Sequence, residues 1–238
     1  MNKTSEKGHL HPISRAIFEI QKIFAEIGFE VAQGPELETE FYNFDTLNIP
    51  KDHPARDMQD TFWIKPHTDG KLLRTHTSPV QIRYMEQQLK KGIKPPYKII
   101  APGKVFRNEA TDATHEAQFF QVEGLYIDKN VSLAQLKGTL EFFFKKFFGP
   151  EVEIRFRPSF FPFTEPSAEV DMKWKGKWLE MAGSGLVHPN VLKSVGLDPK
   201  VYSGFAFGCS IDRPVMVKYG VPDIRMFYGG DLRLVNQF

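Results

Sequence analysis

A chain of 238 residues, 41% hydrophobic and 25% charged, has the make-up of a globular protein able to bury a sizeable core. Its formal charge of +2, with the basic residues scattered, excludes a nucleic-acid-coating protein, so any RNA contact must be local or made through a partner. The single cysteine excludes an internal disulfide and a multi-cysteine zinc site and points to the cytoplasm, and with no run near ~20 apolar residues and no signal core, no membrane contact is expected.

The first eleven residues show no periodic pattern and are expected to be a flexible extension. From 12 to 27, Ile13, Ile17, Ile20, Phe24 and Ile27 recur at helical spacing, opened by Pro12 and stopped by Gly28. That apolar stripe is expected to present a surface needing cover from another chain. The extended stretch FEVAQGPELE follows, its Pro35 better suited to an edge or an interface than to a central strand. Residues 41–47 pack aromatic groups among acids, NIPKDHPARD is a proline-broken loop, and DTFWI reads as a strand. An extended LLRTH runs into the helix start Thr77, Ser78, Pro79, after which Val80, Ile82, Tyr84, Met85 and Leu89 mark a helix. YKIIAPGKVFRNE and QFFQVEGLYI read as two strands around a long polar loop. Leu133, Leu136 and Leu140 lead into EFFFKKFF, a helix whose face is core and takes up several of the 22 phenylalanines. EVEIRFRPS alternates as a strand, and EVDMKWKGKWLEMAG is a lysine-tipped hairpin. HPNVLKSVGL predicts a helix, GFAFG a glycine-rich strand, and IDRPVMVKYG a last helix. No repeat or linker divides residues 12–238, which are read as one domain. Hairpin-joined strands with helices between them predict an α+β fold around a mainly antiparallel sheet. The regular βαβ alternation and glycine fingerprint of a doubly wound sheet do not occur.

Several residues carry candidate chemistry. Arg107 and Arg213 leave extended runs beside a polar loop and a glycine-rich turn, and two guanidinium groups suit a polyphosphate. The bland reading of Arg107 with Glu109 is a surface ion pair, and of GFAFGCSIDR a tight strand-to-helix turn. His76, Ser78, Gln81, Gln121 and Glu123 would together make a small polar cup with one carboxylate, suited to an ammonium-bearing ligand; taken singly, Thr77 or Ser78 is a helix cap. Phe161 and Phe163, stiffened by Pro158 and Pro162, suit an aromatic wall, with core packing as the alternative. Glu165, between Thr164 and Pro166, is a rigid acid of the kind that holds magnesium beside phosphate.

RTHTSPVQIRYM, FRNEATDATHEAQFFQVEG, RPSFFPFTEPSAEVD, GLVHPNVL and GFAFG with its following arginine, taken in this order, resemble the catalytic α chains of bacterial phenylalanyl-tRNA synthetases over nearly all of residues 12–238. Three class II synthetase motifs fall in sequence: the 12–27 helix with GFEVAQGP, the 105–124 hairpin, and GFAFG to Arg213. The resemblance implies a six- to seven-stranded antiparallel sheet with flanking helices. It implies activation of L-phenylalanine by ATP with Mg2+ and acyl transfer to tRNA(Phe), in an (αβ)2 assembly with a β chain, or with self-association of this domain. It implies that Arg107, Glu109, His115, Phe119 and Arg213 bind ATP, with Phe119 on adenine and the two arginines catalytic. His76, Ser78, Gln81, Gln121, Glu123, Phe161, Phe163 and Ala206 would bind phenylalanine, Ala206 as the pocket floor, and Glu165 the metal.

Two departures stand out. Ser210 and Asp212 replace the usual glycine and glutamate before the third-motif arginine, and Pro214 follows it, which predicts weaker ATP binding. Only about a dozen residues precede the first motif, so the family's N-terminal coiled coil is expected to be absent. A biotin or lipoate ligase would need a different slot in place of the FPF wall. The other alternative is a non-catalytic or tRNA-independent paralogue that binds an amino acid or nucleotide and regulates a partner.

Overall fold

The computed structural model describes residues 8–57, 60–66 and 69–238. Of the expected flexible extension, residues 1–7 lie outside the described part. His9 Nδ1 lies 3.0 Å from the Phe238 carbonyl. His11 opens helix α1 (Pro12–Ala25), its Nδ1 accepting from the Ile13 N–H at 3.3 Å while Nε2 contacts the Phe227 carbonyl at 2.9 Å. Ile13, Ala16, Ile20, Ile23 and Phe24 of this helix are buried in the chain's own core. The apolar stripe is therefore covered from within, contrary to the expectation of a surface awaiting a partner; Phe18, on the outer side, stays exposed. Gly28, at φ +82°, ends the run in a conformation that a side chain disfavours.

Beyond it come β1 (Glu30–Val31), β2 (Leu37–Thr39), a one-turn helix α2 (Glu40–Asn43) and a 3₁₀ turn (Asp45–Leu47). Residues 60–64, expected as a strand, make only one bridge, Trp63 to Leu72 of β3 (Lys71–Leu73). The Asp60 and Thr61 N–H groups instead donate back to the Asp57 carbonyl in a turn, and Pro66 follows two residues after Ile64. Next are α3 (Ser78–Lys90), β4 (Tyr97–Phe106), β5 (Gln118–Asp128) and α4 (Leu133–Phe148). A reciprocal Ser132 and Gln135 capping box starts α4, and Phe143, Phe144 and Phe147 are buried along it. β6 (Ile154–Phe161), β7 (Thr164–Trp174) and β8 (Lys177–Val187) form a meander, followed by α5 (Pro189–Ser194), β9 (Ser203–Ser210), α6 (Asp212–Tyr219) and α7 (Leu232–Val235).

The main sheet runs β1-β4-β5-β9-β8-β7-β6, antiparallel throughout except for the short parallel pairing of β1 with β4. This is the α+β sheet that the sequence predicts. Three prolines inside strands are tolerated by position: β6, with Pro158, is an edge strand, β1 pairs with β4 only at Ile99 and Ile100, leaving Pro102 beyond it, and Pro166 of β7 falls at the register shift between Thr164 and Ser167. One core lies under α1, α4 and α6, the other under α3 and α5. β5 and β9 divide their side chains between these faces, which determines what reaches the site.

Candidate active site

Alternation along a strand sends successive side chains to opposite faces. In β5, Val122 and Tyr126 join the α1 core, so Gln121, Glu123 and Leu125 face the other way. The register sets these three opposite Ser210, Gly208 and Ala206 of β9, and β8 extends the rows with Gly183 opposite Gly208 and Gly185 opposite Ala206. Small residues keep this floor low. A Cβ on Gly208 would sit 3.0 Å from Gln121 Nε2, and one on Gly183 would sit 2.9 Å from the Phe161 ring. The space above is a cleft of about 630 Å³, a size ordinary for small-molecule sites.

Glu123 is the chemical centre of this floor, with only 5% of its surface exposed. Its Oε1 accepts from the Thr77 N–H at 3.0 Å, and its Oε2 accepts from the Ser78 hydroxyl and from Gln81 Nε2, the latter at 2.9 Å. Burial pushes its pKa up to about 7, against the pull of the Ser78 and Thr77 hydrogen bonds and the Arg107 charge. The α3 start thus spends its first hydroxyl and N–H on a carboxylate of the sheet, and Thr77 makes no side-chain cap. This replaces the capping role that the sequence suggests for these residues with one inside the cleft. His76 completes the cup. Both ring nitrogens and Gln121 Oε1 are buried with no well-formed hydrogen bond. Burial drives the His76 pKa down to about 3, Arg107 and Arg74 add to the shift, and the Asn43 main chain opposes it. The imidazole is neutral at physiological pH.

Two phenylalanines stand together along the cleft. Phe161 and Phe163 stack with ring centroids 5.9 Å apart and 11° between planes, and Asn48 Nδ2 holds the Pro162 carbonyl between them at 2.6 Å. The cationic side is equally placed by neighbours. Arg107 leaves β4 with its Nε on the Thr75 carbonyl at 3.3 Å, its guanidinium 5.1 Å over the Phe119 ring and 3.9 Å from Glu109. Arg213, in the first turn of α6, donates to the Glu180 carbonyl at 3.1 Å and is exposed to the cleft. His115, on the loop joining β4 to β5, is held 3.0 Å from the Asp112 carboxylate, which its hydrogen bonds to Thr114 and His115 keep well below the usual range.

Every residue that the sequence offers for a substrate lines this one cleft. Glu165 does not; its side chain is 73% exposed and lies 3.3 Å from His188 Nε2. Among the described residues no three His, Cys, Asp or Glu side chains gather to cage a metal. Reasoning from sequence missed the Thr77 N–H, although any helix start offers unpaired N–H groups. Asp212, noted there only as a departure in the third motif, is fully buried; its Oδ2 accepts from the Phe120 N–H at 2.8 Å and its Oδ1 from the Tyr228 hydroxyl, a pairing that the sequence did not reveal. Burial raises Asp212 to about 6 and raises the Tyr228 hydroxyl as well. Nothing in the C-terminal segment marks Tyr228 in advance.

The whole chain, residues 1–238, matches the family model described as tRNA synthetases class II core domain (F). It is 55% identical over 232 residues to a phenylalanine–tRNA ligase alpha subunit of Synechocystis, covering 98% of this chain and 68% of that one. Alpha subunits of the same name from Aliivibrio fischeri and Vibrio vulnificus are 57% identical over 234 residues, covering 98% of this chain and 69% of theirs.

Proposed function

Because the chain belongs to the class II tRNA synthetase core-domain family, we infer that it is the catalytic subunit of a phenylalanine–tRNA ligase, which activates L-phenylalanine with ATP and passes the acyl group to tRNA(Phe). One observation carries the choice of amino acid: a buried carboxylate, Glu123, sits in the same cleft as the Phe161 and Phe163 stack and two arginines. An ammonium, an aromatic ring and a polyphosphate each find their complement there.

In the activation step the carboxylate of phenylalanine attacks the α-phosphorus in line and pyrophosphate leaves. That displacement needs orientation and charge neutralisation rather than a protein nucleophile. Glu123 takes the ammonium, with Ser78 and Gln81 keeping the carboxylate in place. Neutral His76 and Gln121 line the cleft beside the amino acid. Phe161 and Phe163 face the ring, with Ala206 as the floor. Arg107 and Arg213 neutralise the phosphates; Phe119, with Arg107 over one face, offers the other to adenine, and Glu109 and His115 flank the nucleotide.

Magnesium would add Lewis-acid stabilisation of the phosphates. The absence of a three-ligand cage among the described residues fits an ion that arrives on the nucleotide, since magnesium commonly takes one or two carboxylates and keeps water and phosphate oxygens as its other ligands. Glu109, Glu116 and Glu180 line the cleft and can serve it there. The relatives' designation as alpha subunits supports a β chain as partner, in an (αβ)2 assembly, or self-association in its absence. No helix among the described residues is long and apolar enough to cross a membrane, and a cytoplasmic location accords with the reaction.

ATP–pyrophosphate exchange measured across the amino acids tests this. Phenylalanine should stimulate it; stimulation by no amino acid, with any required partner present, overturns the assignment. Arg213→Ala should lower kcat by about 100-fold or more with little change in the phenylalanine KM. Equal loss in both would leave Arg213 a support for the fold.

A further inference from the structure

The last residue pair of the β5 and β9 ladder is Gln121 with Ser210. One step further along β5, the Phe120 carbonyl still accepts from the Ile211 N–H at 2.8 Å, so the Phe120 N–H points to the same side, where β9 has already turned into α6. The Asp212 carboxylate stands in for the missing strand carbonyl, taking that N–H at 2.8 Å. Its other oxygen is taken by the Tyr228 hydroxyl, from the segment after α6. Phe120 lies between Phe119 and Gln121, and Asp212 directly precedes Arg213.

We propose that Asp212, oriented by Tyr228, is a positioning residue for adenylate formation, coupling Arg213 on α6 to Phe119 and Gln121 on β5 through the Phe120 main chain. The shorter acid at this place is thus no simple loss, because an aspartate fills the gap left by the ended strand and still reaches a tyrosine. The Ile224 N–H, bonded to the Ala113 carbonyl at 2.9 Å, ties the segment leading to Tyr228 to the loop between β4 and β5 as well. The proposal rests on the ligase reading above.

Pyrophosphate exchange on the full chain, with whatever partner the wild type needs, tests it. Asp212→Ala leaves a buried N–H unpaired, and kcat should fall about 10- to 100-fold with a raised ATP KM, while the phenylalanine KM stays within about threefold. Asp212→Asn keeps an acceptor of the same shape and should restore most of the rate. Tyr228→Phe removes only the orienting hydroxyl and should raise the ATP KM by about threefold or more. If Asp212→Ala, shown folded by circular dichroism at the assay temperature, keeps kcat and ATP KM within about twofold of wild type, or if its loss falls on the phenylalanine KM alone, the coupling is wrong. Should Asp212→Ala not fold, an unchanged ATP KM in Tyr228→Phe overturns the proposal just as well. A wild type without phenylalanine-dependent exchange would instead sink the ligase reading.

Discussion

Glu123 must be ionised to hold an ammonium, yet burial raises its pKa to about 7, so the empty site is part protonated at neutral pH. The folded value lies above the ordinary carboxylate value, so protonation favours the empty folded protein, and binding of the cation draws a proton off as pH falls through about 7. The phenylalanine KM should therefore rise as pH drops from 8 to 6, with proton release on binding measurable by calorimetry in buffers of different ionisation enthalpy. His76, neutral down to about pH 3, cannot account for such a profile, and Glu123→Gln should abolish it. A flat profile in the wild type would separate Glu123 from the ammonium. A second expectation concerns Ala206, opposite Leu125 and Gly185 in the sheet floor. Ala206→Gly should admit para-halogenated phenylalanines in pyrophosphate exchange, and a variant that keeps phenylalanine activity without gaining these would disprove the floor assignment. The cup was legible because its residue types belong to one chemistry. What the sequence could not tell was the state of its members. The neutrality of His76, the hydroxyl of Ser78 spent on Glu123 and the joining of Asp212 to Tyr228 depend on distances between segments far apart in the chain.

At the level of elements, periodicity located the helices α1, α3 and α4 and the strands β4 to β9, because each buries a face and so repeats its pattern. The failures lie where the backbone bonds locally. Residues 60–64 have a strand's composition, but the Asp60 and Thr61 N–H groups go to a turn, and α2 is too short to show a helical period. Register, which a sequence states only weakly, is what sets Gly124 opposite Phe207. That aromatic ring stacks on Phe24 of α1 with centroids 5.3 Å apart, and a Cβ on Gly124 would fall inside its contact distance. Gly124→Ala should cost about 1–3 kcal/mol of stability through overpacking, read by urea or thermal unfolding. Phe207→Leu in the same background should recover part of it by clearing the ring. An undiminished stability in Gly124→Ala would mean that β5 and β9 can part without cost at the row next to Glu123 and Gly208.

For the molecule as a whole, the sheet places the polar cup around Glu123 and the two arginines in one cleft, and under the proposed ligase reading that arrangement limits selectivity as much as it enables chemistry. A pocket built to bond a substrate hydroxyl rejects its absence by ~10,000-fold or more, whereas an apolar pocket rejects an added hydroxyl by only ~100-fold. Phe161, Phe163, Val187 and Ala206, all lining the cleft, carry no side-chain group that would pair with or repel a phenol. Discrimination against tyrosine then rests on size alone. The ratio of kcat/KM for phenylalanine over tyrosine in pyrophosphate exchange should therefore be about 100, and tyrosyl-tRNA should accumulate when this chain works with a catalytic partner devoid of hydrolytic activity. Correction at the level that translation demands would have to come from hydrolysis elsewhere in the assembly. A ratio of ~10,000 or above in the exchange reaction, where no hydrolysis of charged tRNA can contribute, would show that the cleft senses the hydroxyl directly and that its apolar end has been misassigned.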